Sequence, residues 1–468
     1  MLAIFAGLLA GLAVVETLGS VGFFVFVPMV VTGVALCSYE SDAKNSWVAL
    51  AIMLVVAMIC SVRIYAEFSS PDAEPITLNN SEGVISYVRT WGKSYAAILS
   101  CESGDYVFIV PPKNFRLYEG TRLKFTGVTN YFREKSANSD FDEKKFWRAR
   151  GVDARITLLD YEILPEKFSF YKLRDSISHF LRKNLPRLTS DYLRAAWLGD
   201  RVRFLNEKHQ RWGTSHLLAV SGFHVGIVIL CAGKFFRNKF AISALLWAYV
   251  LLTGASASAM RAALMLQVAI LSKILWRPVN SVNSVSVAGV ILLLKSPFYF
   301  WDIGWRLSII AALTISALSN LSRKKSARKY LFLILNPLIV LTTFAQVTHT
   351  FGQIPLVGVF LNLFAPTFFA IAFSVASVGA MMYFLEIPFS GWLVLIINGG
   401  FMAWEKFADF AAGIINYRIQ ENFLLSWIGA GILFFMICKS FGFSQLRSFV
   451  ITLALTCMSF VIFGGVAL

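Results

Sequence analysis

The stretch GTSHLLAVSGFHVGIVIL, Gly213 to Leu230, sets two histidines, a Ser-Gly pair and three glycines into an otherwise apolar run. On a straight helix His216 and His224 lie about 80° apart, Val220 sits nearly between them, and Ser221 points about 140° from His216. Gly222 and Gly226 form a small-xxx-small pair that would let a second helix approach. An ionisable residue in such a run is a functional candidate by default, because it must face a protein interior or an aqueous cavity. The plainer reading gives each histidine a neutral ring bonded to a neighbouring helix. The residues alone leave both readings open.

Three chemistries can be tried on these side chains. As zinc ligands, His216 and His224 would need more partners; only His349 is available in the later apolar segments, and no HExxH occurs. As a serine hydrolase, AVSG plus a histidine is similar to the GxSG of rhomboid intramembrane proteases, but Ala219 replaces the first glycine and His349 would have to act as base. As an NTP-driven pump, the chain would need a GxxxxGK[ST] loop, which is absent, so any driving ATPase is a separate protein. The expectation is therefore a chain without cofactor or metal, and not an enzyme.

Other segments share this polar character. TGASASAMRAALM (253–265) places Arg261 one turn into a helix, and WDIGWRLSIIAAL (301–313) pairs Asp302 with Arg306 at i,i+4. Both arginines fit either snorkelling anchors or the lining of a vestibule. THTFGQIPLVGVFLNLFAPTFFA (348–370) carries His349, Gly352, Pro355 and Pro366 in a broken helical pattern. Irregular backbone at membrane depth is tolerated only inside protein or around a cavity, so these breaks point to a polar path through a bundle.

The elements that must position these residues follow from composition. Of 468 residues 57% are hydrophobic and 15% charged, against about 25% charged in an ordinary soluble domain. Apolar runs near the ~20-residue spanning length recur, so the chain reads as a polytopic α-helical membrane protein. Three runs open it, at about 2–18, 22–37 and 47–65, giving an N-terminal transmembrane region over 1–66 that reads as retained helix rather than signal peptide. Further runs fall near 216–233, 240–254, 258–276, 281–297, 303–320, 330–348 and 356–384, with weaker ones near 391–404, 423–438 and 448–466. They make 213–468 a polytopic channel region. The basic loops 234–239, 273–277 and 323–329 share one side if each run spans once, and that side should be cytoplasmic.

Between 67 and 166 five short runs rich in Val, Ile, Tyr and Phe predict an extracytoplasmic small β-barrel of OB type, or another small β-sandwich. Tyr87, Trp91, Tyr95 and Tyr106 either stack bases from its surface or fill its core. Residues 167–212 form a basic helical segment in which Lys and Arg outnumber Asp and Glu eleven to four. Phe170, Leu173, Ile177, Phe180 and Leu181 keep helical spacing there, as in an interfacial helix on lipid headgroups or a basic collar at a pore mouth. Arg201 and Arg203 belong to this basic set. The net charge of +16 suits cytoplasmic loops, anionic lipid or a polyanion. Cys101 alone lies in the polar insert, where it can form no disulfide within that region.

Taken together, GTSHLLAVSGFHVGIV, the LGDR at 198–201, ASAMRAALM, DIGWRLSI and FGQIPLVGVFLNLFAP resemble, in order, the motifs of the ComEC family of inner-membrane DNA channels. The resemblance covers about 190–370 strongly and the rest loosely. It implies that single-stranded DNA passes inward through the bundle in the bacterial cytoplasmic membrane during natural transformation. The residues matching its motifs are Gly213, His216, Ser221, Gly222, His224, Arg261, Asp302, Gln353 and Asn362. Gly226, Arg306 and His349 complete the candidate path, although Arg306 stands where the family commonly has glutamine. The insert SANSDFDEKKFWRARGV keeps the Phe-Asp and Arg-Gly-Val elements but not the usual Asn-Pro-Gly turn. No HxHxDH motif of the metallo-β-lactamase-like domain carried by many members occurs before Leu468, so a channel without its own nuclease is expected. The implied partners are single-stranded DNA, membrane lipids, a periplasmic or surface DNA receptor, a separate nuclease, and a cytosolic ATPase/helicase or single-strand-binding proteins. The competing functions are the Ser221 hydrolase and a transporter of a smaller anionic solute or lipid-linked glycan.

Overall fold

The computed structural model describes residues 74–111, 117–133, 141–165, 167–200, 202–218, 222–236, 238–276, 280–321 and 325–440, with Val220 and short stretches between 444 and 453. The N-terminal runs, Ser221, Arg201 and most of the 448–466 run lie outside the described residues. The chain divides into two compact units: one holds Asp72–Ala263 and Ile354–Ile419, the other Leu264–Gln353 and the segment from Gln420.

In the first unit, β1 (Thr77–Trp91), β2 (Ser94–Cys101), β3 (Gly104–Val110), β4 (Arg122–Asn130) and β5 (Ala154–Leu164) form a closed barrel in the order β1-β2-β3-β5-β4. Neighbours pair antiparallel except β3 and β5, which close the barrel through a short parallel ladder at Tyr106 and Val107. Period-two alternation sends Ile85, Leu99, Phe108, Leu123 and Phe125 into the interior. The helix Glu143–Arg148, capped by the Asp142 side chain on the Lys145 amide, lays the fully buried Trp147 against Ala96, Ile98 and Val107.

This helix favours the core reading of the barrel aromatics over the stacking one. Trp91 packs in an aromatic cluster with Phe141, Phe146 and Trp147, at ring-centroid distances of 5.6, 5.3 and 5.0 Å. Tyr87 lies half-buried against the same cluster, Tyr95 is half-buried, and Tyr106 belongs to the barrel core. Removing aromatic area from water decides their placement. The Arg89 guanidinium rides over Trp91 and Phe146, 5.5 and 5.1 Å from the centroids.

The helical part of this unit is built on the aromatic faces of Ala365–Phe384 and Ser390–Ile414. Phe369, Phe373, Phe401 and Trp404 interdigitate with Tyr192 of the Arg187–Leu198 helix, whose ring stacks on Phe401 at 4.4 Å. The Phe170–Asn184 helix, capped by Ser169, spends part of its apolar stripe on this core. Leu181 is fully buried and Ile177 and Phe180 pack beside it, while Phe170 and Leu173 stay exposed. Only the first turn of this helix keeps an apolar face uncovered.

The second unit contains the helices Ser281–Lys295, Ile303–Leu321, Lys325–Phe351 and Phe423–Ser440. Polar pairs join them at three levels: Asn280 with Asn320 at 3.1 Å, Thr314 with Thr342 at 3.0 Å, and Arg306 with Gln346 at 3.4 Å. Among the described residues five helices are long and apolar enough to cross a membrane: Ala257–Ile274, Ile303–Leu321, Ile334–Phe351, Ala365–Phe384 and Phe423–Ser440.

Candidate functional site around the Gly213–His224 segment

The segment with two histidines is not one helix. The Arg203–Trp212 helix ends at Gly213, a single 3₁₀ turn covers Ser215–Leu217, and a new helix runs Gly222–Phe235. His216 and His224 therefore do not share a helix face, which corrects the 80° separation read from a continuous run. The broken course follows from Gly213, which caps the first helix in the left-handed region at φ +69°. A Cβ there would come within 2.9 Å of the Gly358 Cα and 3.0 Å of Pro355. Two glycines thus let two backbones cross. The Asn362 side-chain amide, 9% exposed, seals the crossing by donating to the Gly213 carbonyl at 3.3 Å.

At its other end the segment rests on the start of the Ala257–Ile274 helix. The Ser258 hydroxyl donates to the Val220 carbonyl at 2.6 Å, and a Cβ on Gly222 would touch Ala262 at 3.3 Å and the Arg261 guanidinium at 3.4 Å. Arg261 is buried, so its charge sits at the beginning of the helix beside the motif. His224 is buried three residues into its helix, its ring 5.1 Å from that of Phe373. His216 is exposed on the 3₁₀ turn. Nothing among the described residues lies within 4 Å of a Cβ at Gly226. A helix approaches at Gly222 as a small-xxx-small pair would allow; at Gly226 none of the described residues does.

The remaining candidates divide between the units. In the first unit Arg203 is an exposed residue paired with Glu207 at 2.7 Å, an ordinary surface contact. In the second unit Asp302 caps its helix, its Oδ1 accepting from the Trp305 amide at 2.9 Å. Arg306 donates to the Phe300 carbonyl and to Gln346, and its guanidinium lies 4.5 Å from the Phe300 ring centroid. His349 is exposed on the last turn of its helix, and Gln353 is half-buried just beyond it. Among the described residues no group of three or more His, Cys, Asp and Glu could hold a metal ion.

Sequence reasoning missed a second buried polar cluster next to the motif. His209, with no exposed surface, is bracketed by the Tyr192 hydroxyl at 3.0 Å from Nε2 and the Thr214 hydroxyl at 2.9 Å from Nδ1. Burial pushes His209 down to about 3, so the ring is neutral at ordinary pH. Beside it, Lys208 donates to Glu405 at 2.5 Å, and Arg211 and the Trp212 indole donate to Asp409. The available signal was WEKFAD (404–409), two carboxylates at i,i+4 inside an apolar run.

The fold is that of a helix-rich chain with, among the described residues, five long apolar helices and a small closed five-stranded barrel. Residues 203–446 match the family model described as Competence protein. The chain is 26% identical over 331 residues to ComE operon protein 3 of Bacillus subtilis (strain 168), a match covering 66% of this chain and 41% of that protein. It is also 26% identical over 287 residues to an uncharacterized protein of Aquifex aeolicus (strain VF5), covering 58% of this chain and 67% of that one. No solved structure matches. The family match spans more than half of the chain and includes the Gly213–His224 segment: this protein belongs to the competence protein family, that of ComEC.

Proposed function

We propose that this chain forms a multi-pass channel that carries single-stranded DNA across the bacterial cytoplasmic membrane during natural transformation. The observation that supports the reading most is a coincidence of place. The family match over 203–446 contains the two interrupted backbone stretches, at 213–218 and 354–364, where Gly213, Gly358 and Asn362 meet. Irregular backbone with buried polar groups inside a set of apolar helices suits a polar conduit. The candidate contacts for the strand are the motif residues His216, Ser221, Gly222, His224, Arg261, Asp302, Arg306, His349, Gln353 and Asn362. Distributed weak contacts of this kind hold a polyanion without trapping it. The barrel would face outward, and a DNA receptor, a separate nuclease and a cytosolic ATPase or helicase would complete the route.

The test is a His224→Ala strain assayed separately for DNA capture and for entry of labelled DNA into the cytosol. Capture should persist while entry is lost. Normal entry with stably inserted His224→Ala protein would overturn the role of His224. Loss of entry in Ser221→Ala, with labelling of the parent by a fluorophosphonate probe, would favour a hydrolase instead.

A further inference from the structure

The conduit reading has no use for His209, yet its ring is the best-enclosed imidazole described. It is surrounded by Tyr192 and Phe369 from neighbouring helices, by Lys208 and Trp212 of its own, and by Thr214 and His216 in the turn that follows. Tyr192 Oη also lies 3.5 Å from Glu405 Oε1, whose other oxygen accepts from Lys208 at 2.5 Å. Asp409, one turn along, sits 3.8 Å from Lys208 and binds Arg211; both Asp409 and Arg211 reach solvent. A continuous series of polar contacts therefore runs from a solvent-reached rim to the Gly213–Thr214 turn.

A neutral imidazole has one donor and one acceptor nitrogen, so this series can point in only two directions. In the first, the Tyr192 hydroxyl donates to Nε2 and Nδ1–H donates to Thr214, whose hydroxyl and carbonyl oxygens lie at 2.9 and 3.4 Å. In the second, the Thr214 hydroxyl donates to Nδ1, Nε2–H donates to Tyr192 Oη, and the Tyr192 hydroxyl turns to Glu405. The two differ in which ring nitrogen carries the proton and in where the Tyr192 and Thr214 hydroxyls point; tyrosine and threonine each keep their own proton, and the ring loses one proton and gains another when local opening admits solvent. Ionised Glu405 favours the second, because a carboxylate accepts a stronger hydrogen bond than a neutral group.

We propose that Tyr192, His209 and Thr214 form a reversible hydrogen-bond relay that couples the charge at Glu405 to the Gly213–Thr214 turn of the motif. His209 is then a positioning residue, and the rim of Lys208, Arg211, Glu405 and Asp409 is its input. Any event that neutralises Glu405 reverses the relay and changes what Thr214 can donate to, whereas drawing Lys208 away from an ionised Glu405 holds the relay in the second direction. The relay does not require that DNA be the cargo.

The test uses the full chain in lipid nanodiscs with ¹⁵N-labelled histidine, the His209 signals being assigned by their loss in His209→Asn. The parent should show a neutral ring protonated at Nε2. Glu405→Ala should move the proton to Nδ1, and the isosteric Glu405→Gln should shift it in the same direction. In Tyr192→Phe the tautomer should no longer respond to either change at Glu405. An unchanged tautomer in both Glu405 variants overturns the relay, and so does a response that survives in Tyr192→Phe. Because the readout is spectroscopic, failure here is distinct from failure of the DNA-entry test at His224.

Discussion

Two locks in this protein are built alike and differ in one respect. At the edge of the barrel Gly120 adopts φ +87° where a Cβ would fall 2.6 Å from the Lys172 amide nitrogen. Its neighbour Glu119 reaches Arg174 of the Phe170–Asn184 helix at 3.1 Å. Arg174 in turn donates to the Leu198 carbonyl at 2.8 Å. At the motif Gly213 adopts φ +69° against Gly358, and Asn362 donates to its carbonyl. Each lock pairs a left-handed glycine at a backbone contact with a polar side chain reaching a distant segment. The barrel lock is charged and the motif lock is neutral. A charged lock buried with few partners responds to pH; a neutral one does not.

The largest effect that would sharpen this contrast is expected at Arg174. Removing one member of a buried ion pair strands the other, and Arg174→Met should destabilise the attachment of the barrel by about 3–5 kcal/mol. Limited proteolysis between the barrel and the Phe170–Asn184 helix would register it; unchanged cleavage would show that the pair does not hold the barrel. Next comes Gly213→Ala, which meets both left-handed strain and backbone overlap, together about 2–5 kcal/mol. Its thermal unfolding in detergent should begin well below that of the parent, and an unshifted midpoint would mean that the crossing at Gly358 relaxes freely.

The pH response should separate the locks directly. Burial pushes the Glu119 carboxyl up to about 7, Arg174 only partly opposing it. A folded-state value above the ordinary 4.5 means that the native state holds the proton more tightly than the unfolded chain does. The stability this contributes is therefore fully present below about 4.5 and is lost as pH rises through about 7. Hydrogen exchange in residues 117–121 should quicken from pH 5 to pH 8, after correction for intrinsic rates, while exchange at Gly213 and Thr214 follows the intrinsic rates alone. Glu119→Gln should abolish the difference. Equal pH dependence at both places would erase the distinction drawn between them.

The two regions also differ in how much of them could be read in advance. All five strands were visible because strand periodicity and Gly-punctuated turns are local properties. Their faces were not: whether Trp91 is a platform or packing depends on Trp147, more than fifty residues away in the chain. The helical runs were likewise legible, since apolar length is local, and the glycine and proline breaks near 352–366 announced an interruption. The break inside 213–224 was hidden because AVSGFHVGIVIL continues the apolar pattern through it. What ends the helix is an approach by Gly358, and what holds the turn is Asn362, neither encoded nearby. His209 escaped notice because a histidine in the basic segment 167–212 looks like one more solvated cation, and only its tertiary neighbours, Tyr192 and Phe369, make it a buried neutral ring.

The smallest expected effect isolates what glycine does in the motif. Gly222 lies against Ala262 and Arg261, whereas a Cβ at Gly226 meets nothing among the described residues within 4 Å. Both sit in one helix, so they share the cost of glycine's unfolded-state freedom and low helix propensity. Gly226→Ala should therefore stabilise the protein by about 0.4–1 kcal/mol. Gly222→Ala must push a neighbour by a few tenths of an ångström at 3.3 Å, and overpacking should offset the same gain. Thermal midpoints of the two variants, measured side by side, should thus diverge, with Gly226→Ala higher. If Gly226→Ala fell below the parent instead, an unseen helix or ligand would have to occupy that face, and the close approach in this segment would no longer belong to Gly213 and Gly222 alone.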